Sequence, residues 1–127
     1  MKTFEDLDCW KKITDLRRKL SELVKIFPVD EKYRLADQII RAARSATSNI
    51  AEGYGRFHYQ ENIQYCRQTR GSLYELIEHL IVAKDEGYIS QDELVRLRND
   101  KASCLAVLNG YINYLLNAKT KNAKEPD

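Results

Sequence analysis

The sequence predicts an all-α protein, specifically an antiparallel up-down four-helix bundle. Apolar residues recur at steps of three and four along four long segments, and no segment alternates with a period of two over a useful length. Two prolines and five glycines in 127 residues, together with 31% charged residues, are typical of a helical, well-solvated domain. Long helices joined by short connections favour antiparallel neighbours. We therefore expect one bundle domain over residues 1–117 and a frayed polar tail over residues 118–127.

The first two helices are expected over residues 3–26 and from Asp30 to the pair Gly53 and Gly55. Pro28 ends the first helix, because the residue before a proline is pushed out of the α region. Asp30 is a good N-cap for the second helix, and Gly53 together with Gly55 provides a helix stop. Alanines occupy the middle of the second apolar face, so a neighbouring helix can approach closely there.

The third and fourth helices carry clearer end signals. The third is expected over residues 59–86, with Gly87 as the glycine that follows its last turn. An interior glycine, Gly71, costs about 1 kcal/mol relative to alanine, so we expect a partner helix to pack close to the backbone there, with ligand contact as the alternative. Ser90 opens a Ser-Gln-Asp-Glu capping box, and the near-heptad apolar pattern that follows suits a bundle seam up to about Asn117.

The sequence lacks the constellations that metal binding or phosphate transfer requires. His58 and His79 are the only histidines, and Glu75 with His79 forms an i,i+4 pair on one helix alone. A ferritin-like dimetal site needs Glu-x-x-His pairs on two helices. No glycine-rich phosphate loop follows a strand, because no strand is predicted. We expect no metal, no cofactor and no enzymatic activity.

The cysteines and the hydropathy pattern predict a reduced, cytoplasmic protein. Cys9, Cys66 and Cys104 are odd in number, far apart and without a CxxC pairing, which fits free thiols better than disulfides or a zinc site. The N-terminal residues include acids where a signal peptide needs cations followed by an apolar run. No apolar stretch approaches the roughly 18–20 residues of a membrane span. The net charge of +2 is too small to indicate a partner.

Residues 33–83 contain several arginines and no lysine. Its planar guanidinium matches carboxylate and phosphate groups, and it tolerates an interface better than lysine does. Arg41 and Arg44 share a face of the second helix, and Arg67 and Arg70 share a face of the third. The candidate residues for binding nucleic acid or a partner are Arg41, Arg44, Arg56, Arg67 and Arg70.

Two interpretations of these arginines remain open. Asp37 lies four residues before Arg41, and Glu52 lies four before Arg56, so the arginines could form ion pairs within the bundle or between subunits. Alternatively, they could contact phosphates. Tyrosines of the same region could stack on unpaired bases or cover a protein interface. They are Tyr54, Tyr59, Tyr65 and Tyr74.

Two segments, FPVDEKYRLADQIIRAARSATSNIAEGYGR and GSLYELIEHLIVAKDEGYIS, resemble the signature segments of the 23S rRNA intervening-sequence proteins. The resemblance covers residues 4–116, and its most specific part is SNIAEG with Arg56. It implies a four-helix bundle that assembles as a homopentamer, with no known catalytic residues. The related accessory protein of diversity-generating retroelements is a basic pentameric barrel that binds nucleic acid and a reverse transcriptase. His58, Asn62 and Thr69 depart from the residue types usual in the family.

The residues and the resemblance together predict a cytoplasmic bacterial homopentamer that binds nucleic acid, with RNA favoured, and catalyses no reaction. The alternative is a protein-interaction scaffold that docks an acidic protein partner. The residues expected to shape helix packing and subunit assembly are Asn49, Glu52, Gly53, Gly71, Ser72 and Glu75.

Overall fold

The computed structural model describes residues 2–124, which form four α-helices and no strand. The helices are α1 (Asp8–Leu23), α2 (Leu35–Gly55), α3 (Tyr59–Asp85) and α4 (Gln91–Lys124). The most extensive contacts join α2 to α3 and α3 to α4, while α1 packs against α2 and α4. The predicted all-α four-helix bundle is confirmed.

All four helices contribute to one hydrophobic core. Ile13, Ile39, Leu73 and Leu108 represent the four helices in it, with at most 1% of each residue exposed. Burying each such side chain stabilises the fold by about 1.5–3 kcal/mol. These residues lie on the apolar stripes that the sequence predicts.

The alanine-rich face of α2 is buried against neighbouring helices, as the sequence predicts, and at Ala46 the neighbour is α3. Ala42, Ala43 and Ala46 are all buried. The two helices come close enough for the Thr69 hydroxyl of α3 to donate a 2.8 Å hydrogen bond to the carbonyl of Ala46. This bond satisfies a hydroxyl that is buried in the helix interface.

The first two helices start later than predicted. Residues Phe4–Asp6 form a separate 3-10 turn, in which the Asp6 carboxylate accepts a hydrogen bond from the Thr3 amide at 3.2 Å. Val29–Glu31 forms another such turn, and Arg34 then has φ −121° and ψ −107°, outside the helical region. The acidic residues near both predicted starts therefore belong to short turns, and α1 and α2 begin only after the chain has changed direction.

The later helix ends follow their signals closely. Gly87 has φ +81°, its amide donates to Lys84, and the Tyr88 amide donates to Ala83 at 2.8 Å, which together form a Schellman motif. The Ser90 hydroxyl accepts a hydrogen bond from the Glu93 amide at 3.1 Å at the start of α4. Both end signals are confirmed.

The fourth helix runs past its predicted end. α4 continues through Lys124, whereas the sequence pattern places its end near Asn117. The predicted helix ended too early because the polar sequence after Asn117 offers no large apolar anchor. Residues 125–127 of the predicted frayed tail lie outside the described residues.

Candidate nucleic-acid interface

Gly53 allows the end of α2 to lie directly against the start of α3. A Cβ atom at this position would lie 2.8 Å from Asn62 Oδ1, 2.8 Å from Tyr65 Cβ and 3.2 Å from the Asn62 carbonyl oxygen. Gly53 is therefore a packing residue, as predicted, and α2 ends two residues later at Gly55, the second glycine of the predicted stop. The Asn62 amide also donates to the Tyr111 hydroxyl at 3.0 Å, so the same junction is joined to α4.

The Arg56 side chain is held at this junction by two partners. Its Nη2 donates to the Tyr65 hydroxyl at 2.8 Å, and its Cζ lies 5.2 Å from the centre of the Tyr65 ring. Glu52 forms an ion pair with the same nitrogen at 3.4 Å. Tyr65 first, and Glu52 second, raise the pKa of Arg56. The guanidinium is thus positioned by its neighbours while 45% of the side chain stays exposed.

Arg41 and Arg44 lie on the exposed side of α2, away from the core. Arg41 forms an ion pair with Asp37 at 2.9 Å, but 80% of its side chain remains exposed. Among residues 2–124, Arg44 has no carboxylate within ion-pair distance. The sequence-predicted face therefore presents one weakly paired and one unpaired guanidinium, since exposed ion pairs stabilise little.

Arg17 of α1 extends this cationic face, although it is not among the residues predicted from the sequence. Its Nη1 donates to the Thr47 hydroxyl at 2.8 Å, and that hydroxyl donates to the carbonyl of Arg44 at 3.3 Å. The Thr47 hydroxyl thus bridges Arg17 and the backbone of Arg44 across the α1–α2 seam. The sequence contains no local signal for this contact, because the two residues approach only through helix packing. We call Arg17, Arg41 and Arg44 the α1–α2 arginine face.

The structure does not bring Arg67 and Arg70 onto this face. Arg70 donates to Asn109 of α4 at 3.3 Å, so it lies on the α4 side of α3. Arg56 approaches α3 from the opposite side, through Tyr65. The exposed Arg67 donates only to Gln64, one turn away on the same helix, at 3.4 Å. The five predicted arginines therefore lie on more than one side of the bundle.

Some of the predicted packing residues make contacts between α2 and α3, and others are exposed. The hydroxyls of Ser45 and Ser72 are 3.1 Å apart, and the Asn49 amide donates to the Ser45 carbonyl at 2.9 Å. Gly71 is exposed, and a Cβ there would meet no other described atom within 4 Å, so the predicted close packing of a helix against it within the chain is wrong. Glu75 is exposed as well. Contacts of Gly71, Ser72 and Glu75 with another subunit stay a prediction.

The buried thiols are unsuited to nucleophilic catalysis. Burial raises the pKa of Cys9 to about 11, of Cys66 to about 12 and of Cys104 to about 11. The thiolate is the reactive form of cysteine, so such thiols are inert at neutral pH. Within residues 2–124, no group of three or more His, Cys, Asp or Glu side chains is arranged to hold a metal ion.

Comparison with known proteins identifies the family. The family model described as "23S rRNA-intervening sequence protein" matches residues 5–110. The chain belongs to this family. A search of the curated proteins returned no match. In the part of the chain that the structure describes, no helix is long and apolar enough to cross a membrane.

Proposed function

We propose that this member of the 23S rRNA intervening-sequence protein family is a non-enzymatic homo-oligomer that binds RNA through the α1–α2 arginine face. The observation that carries this proposal is the exposed Arg44, which has no carboxylate partner among residues 2–124, beside Arg17 and Arg41. Guanidinium groups bind phosphate oxygens with two parallel hydrogen bonds. A phosphate backbone that follows α2 would meet these three side chains in turn.

Phosphate can compete with the existing partners of these arginines. The Arg41–Asp37 pair is largely exposed, and an exposed i,i+4 pair contributes only about 0.3–0.5 kcal/mol. The Arg17–Thr47 bond is between a charged donor and a neutral hydroxyl, which leaves the positive charge of Arg17 uncompensated. RNA is favoured over duplex DNA because exposed aromatic residues near Arg56, including Phe57 at 87% and Tyr59 at 37% exposure, can stack on unpaired bases.

The other parts of the proposal rest on different observations. The family resemblance supports a homopentamer from a bacterial source. The inert buried thiols and the lack of a clustered metal-ligand set among residues 2–124 support a protein without catalytic activity. Light scattering on a gel-filtration peak tests the assembly, and a mass of one chain would refute it.

The nucleic-acid proposal is tested by fluorescence anisotropy with nuclease-treated protein and a labelled structured RNA. We expect affinity to fall steeply as salt rises, because counterions are released from the phosphates. The double variant Arg41→Glu with Arg44→Glu should weaken binding about tenfold or more, and it should reduce the slope of log affinity against log salt by roughly 1.4–1.8 if two phosphate contacts are lost. The matched control is Arg96→Glu with Arg98→Glu on the exposed N-terminal part of α4, which makes the same charge change elsewhere.

Two outcomes would contradict the proposal. Equal weakening by both double variants would show that binding follows net charge and not this face. An absence of binding at low salt would remove RNA as the ligand. In that case, the scaffold alternative would be supported by an acidic protein that still binds after nuclease treatment. Its binding should be lost in the Arg41→Glu, Arg44→Glu variant.

A further inference from the structure

A cavity of about 430 Å³ opens at the end of the bundle where α3 begins and the last turns of α4 lie. We call it the α3–α4 end cavity. Two tyrosines, two asparagines, an alanine and a lysine line it, namely Tyr59, Tyr114, Asn117, Ala118, Lys121 and Asn122. This described lining contains one cation and no carboxylate. The cavity therefore combines aromatic surface, amide groups that form hydrogen bonds, and positive charge.

Tyr114 provides an exposed aromatic ring whose direction is already fixed. Its ring lies nearly parallel to that of Tyr111, with 6.3 Å between the ring centres and 11° between the planes, yet 62% of the residue is exposed. The Tyr111 hydroxyl in turn accepts a 3.0 Å hydrogen bond from the buried Asn62 amide. A ligand that stacks on a ring held in this way loses little affinity to the ordering of the side chain.

The two walls of the cavity are held together by a contact between α4 and α3. The Lys119 ammonium donates a hydrogen bond to the side-chain oxygen of Gln60, in the first turn of α3. Gln60 follows Tyr59, which is 37% exposed and lines the cavity from the α3 side. Lys121, two residues after Lys119, is exposed as well. The structure thus places Tyr59 and Lys121 on opposite walls of a formed cavity.

A nucleotide with an unpaired base has a group that complements each of these features. Every nucleobase has a π face that can stack on an aromatic side chain. The amides of Asn117 and Asn122 each offer a donor and an acceptor, which match the polar edge of a base. The Lys121 ammonium can pair with a phosphate. Bases within a duplex are stacked on each other, so this arrangement selects single-stranded RNA.

The charges on the two sides of Tyr114 determine how the nucleotide is oriented. Tyr114 also borders a cavity between α1 and α4 that is lined by Asp6 and Asp8. Carboxylates repel phosphate, whereas Lys121 attracts it. The phosphate is therefore expected on the Lys121 side of the ring, with the base between the two tyrosines.

The α3–α4 end cavity can be reached from the α1–α2 arginine face along the end of α2. From Arg44, α2 continues for about 18 Å to Arg56 at 1.5 Å per residue. The next residue, Phe57, is 87% exposed with φ +62°, and Tyr59 follows two residues later. A strand that follows α2 toward its C-terminal end would therefore meet exposed aromatic surface that leads to the cavity.

We propose that the α3–α4 end cavity binds an unpaired nucleotide of RNA, with Tyr114 stacking on the base and Lys121 contacting the phosphate. This inference rests on the proposed RNA binding and adds a second contact that reads strandedness. Duplex RNA would use the α1–α2 arginine face alone. Single-stranded RNA would use both surfaces.

The test measures fluorescence anisotropy of one labelled RNA sequence, as a single strand and as a duplex, with nuclease-treated protein. Tyr114→Leu keeps an apolar side chain but removes the ring, so it should weaken single-strand binding roughly tenfold and leave duplex binding unchanged. Tyr114→Phe keeps the ring and should bind like the unmodified protein. Lys121→Gln should reduce the slope of log affinity against log salt by roughly 0.7, the value for one phosphate contact with a single strand.

Tyr33→Leu is the matched control, because it removes another exposed tyrosine beside a lysine. Tyr33 is 83% exposed just before the start of α2, and the Lys32 ammonium lies 5.4 Å from its ring centre. Its loss should change neither affinity. A positive readout comes from single-stranded RNA that contains 4-thiouridine. Ultraviolet crosslinking followed by mass spectrometry should identify Tyr59 or Tyr114, and crosslinks confined to other parts of the chain would overturn the inference.

The outcomes separate this inference from the proposed function. If Tyr114→Leu binds single strands normally while Arg41→Glu with Arg44→Glu binds weakly, the cavity is not a base site and the arginine face stands. Equal weakening of single-strand and duplex binding by Tyr114→Leu would also overturn the inference, because stacking on an unpaired base affects single strands alone. An unmodified protein that binds neither RNA at low salt would refute the proposed RNA binding itself.

Discussion

Replacing Gly53 by alanine should destabilise the protein, although alanine is the better helix former. Alanine in place of an interior helical glycine normally stabilises by about 1 kcal/mol. At Gly53, however, the added methyl would lie 2.8 Å from the Tyr65 Cβ and 3.2 Å from the Asn62 carbonyl oxygen. Neither atom is the far end of a flexible side chain, so α2 and α3 must separate. Overpacking of this kind costs about 1–3 kcal/mol, which offsets the gain of about 1 kcal/mol and leaves an expected net loss of up to about 2 kcal/mol.

Gly71→Ala is the matched control, because it makes the same chemical change in α3 where the methyl would be unobstructed. We expect this variant to gain up to about 1 kcal/mol. Urea unfolding followed by circular dichroism at 222 nm should move the midpoint in opposite directions for the two variants at unchanged slope. All samples need one protein concentration, because assembly makes apparent stability depend on it. A Gly53→Ala protein as stable as Gly71→Ala would refute the close approach of α2 to α3.

Three further predictions concern buried side chains. Thr69→Val should lower the unfolding free energy by about 1 kcal/mol, because it removes the hydrogen bond to Ala46. Thr14→Val should be neutral or stabilising, since the buried Thr14 hydroxyl has no partner among residues 2–124; urea midpoints that reverse this order would contradict both. Burial raises the pKa of Cys66 from 9.0 to about 12. Its stabilising contribution is therefore intact below pH 9 and lost as pH rises toward 12, where the unfolded thiol ionises first. Native protein at pH 8 should resist iodoacetamide, and rapid labelling of Cys66 would show that this thiol is accessible.

Sequence signals for helix ends gave correct predictions where only one backbone geometry satisfies the signal. The Gly87 and Ser90 signals mark the end of α3 and the start of α4, because each completes a hydrogen-bonded motif within a few residues. The signals near Thr3 and Asp30 were misleading for a related reason. A cap satisfies a short 3-10 turn as well as a long helix, so it does not determine how far the helix extends.

Gly53 and Gly71 show where local information ends. Both were predicted to be packing residues, but α3 approaches the backbone at Gly53, whereas no described atom outside the helix approaches Gly71. Both residues have the same intrinsic effect on a helix. Only the packing of α2 on α3 distinguishes them.

By itself, the sequence determined the fold class, the core-facing stripes and the family of this protein. These properties follow from helical periodicity and short motifs, which depend on residues close together in the chain. Only the tertiary structure decided that Arg17 hydrogen-bonds to Thr47 across the α1–α2 seam and that Arg70 turns to α4. The physical reason is that periodicity defines the faces of each helix, but the rotation of one helix against another depends on side-chain packing between segments far apart in the sequence.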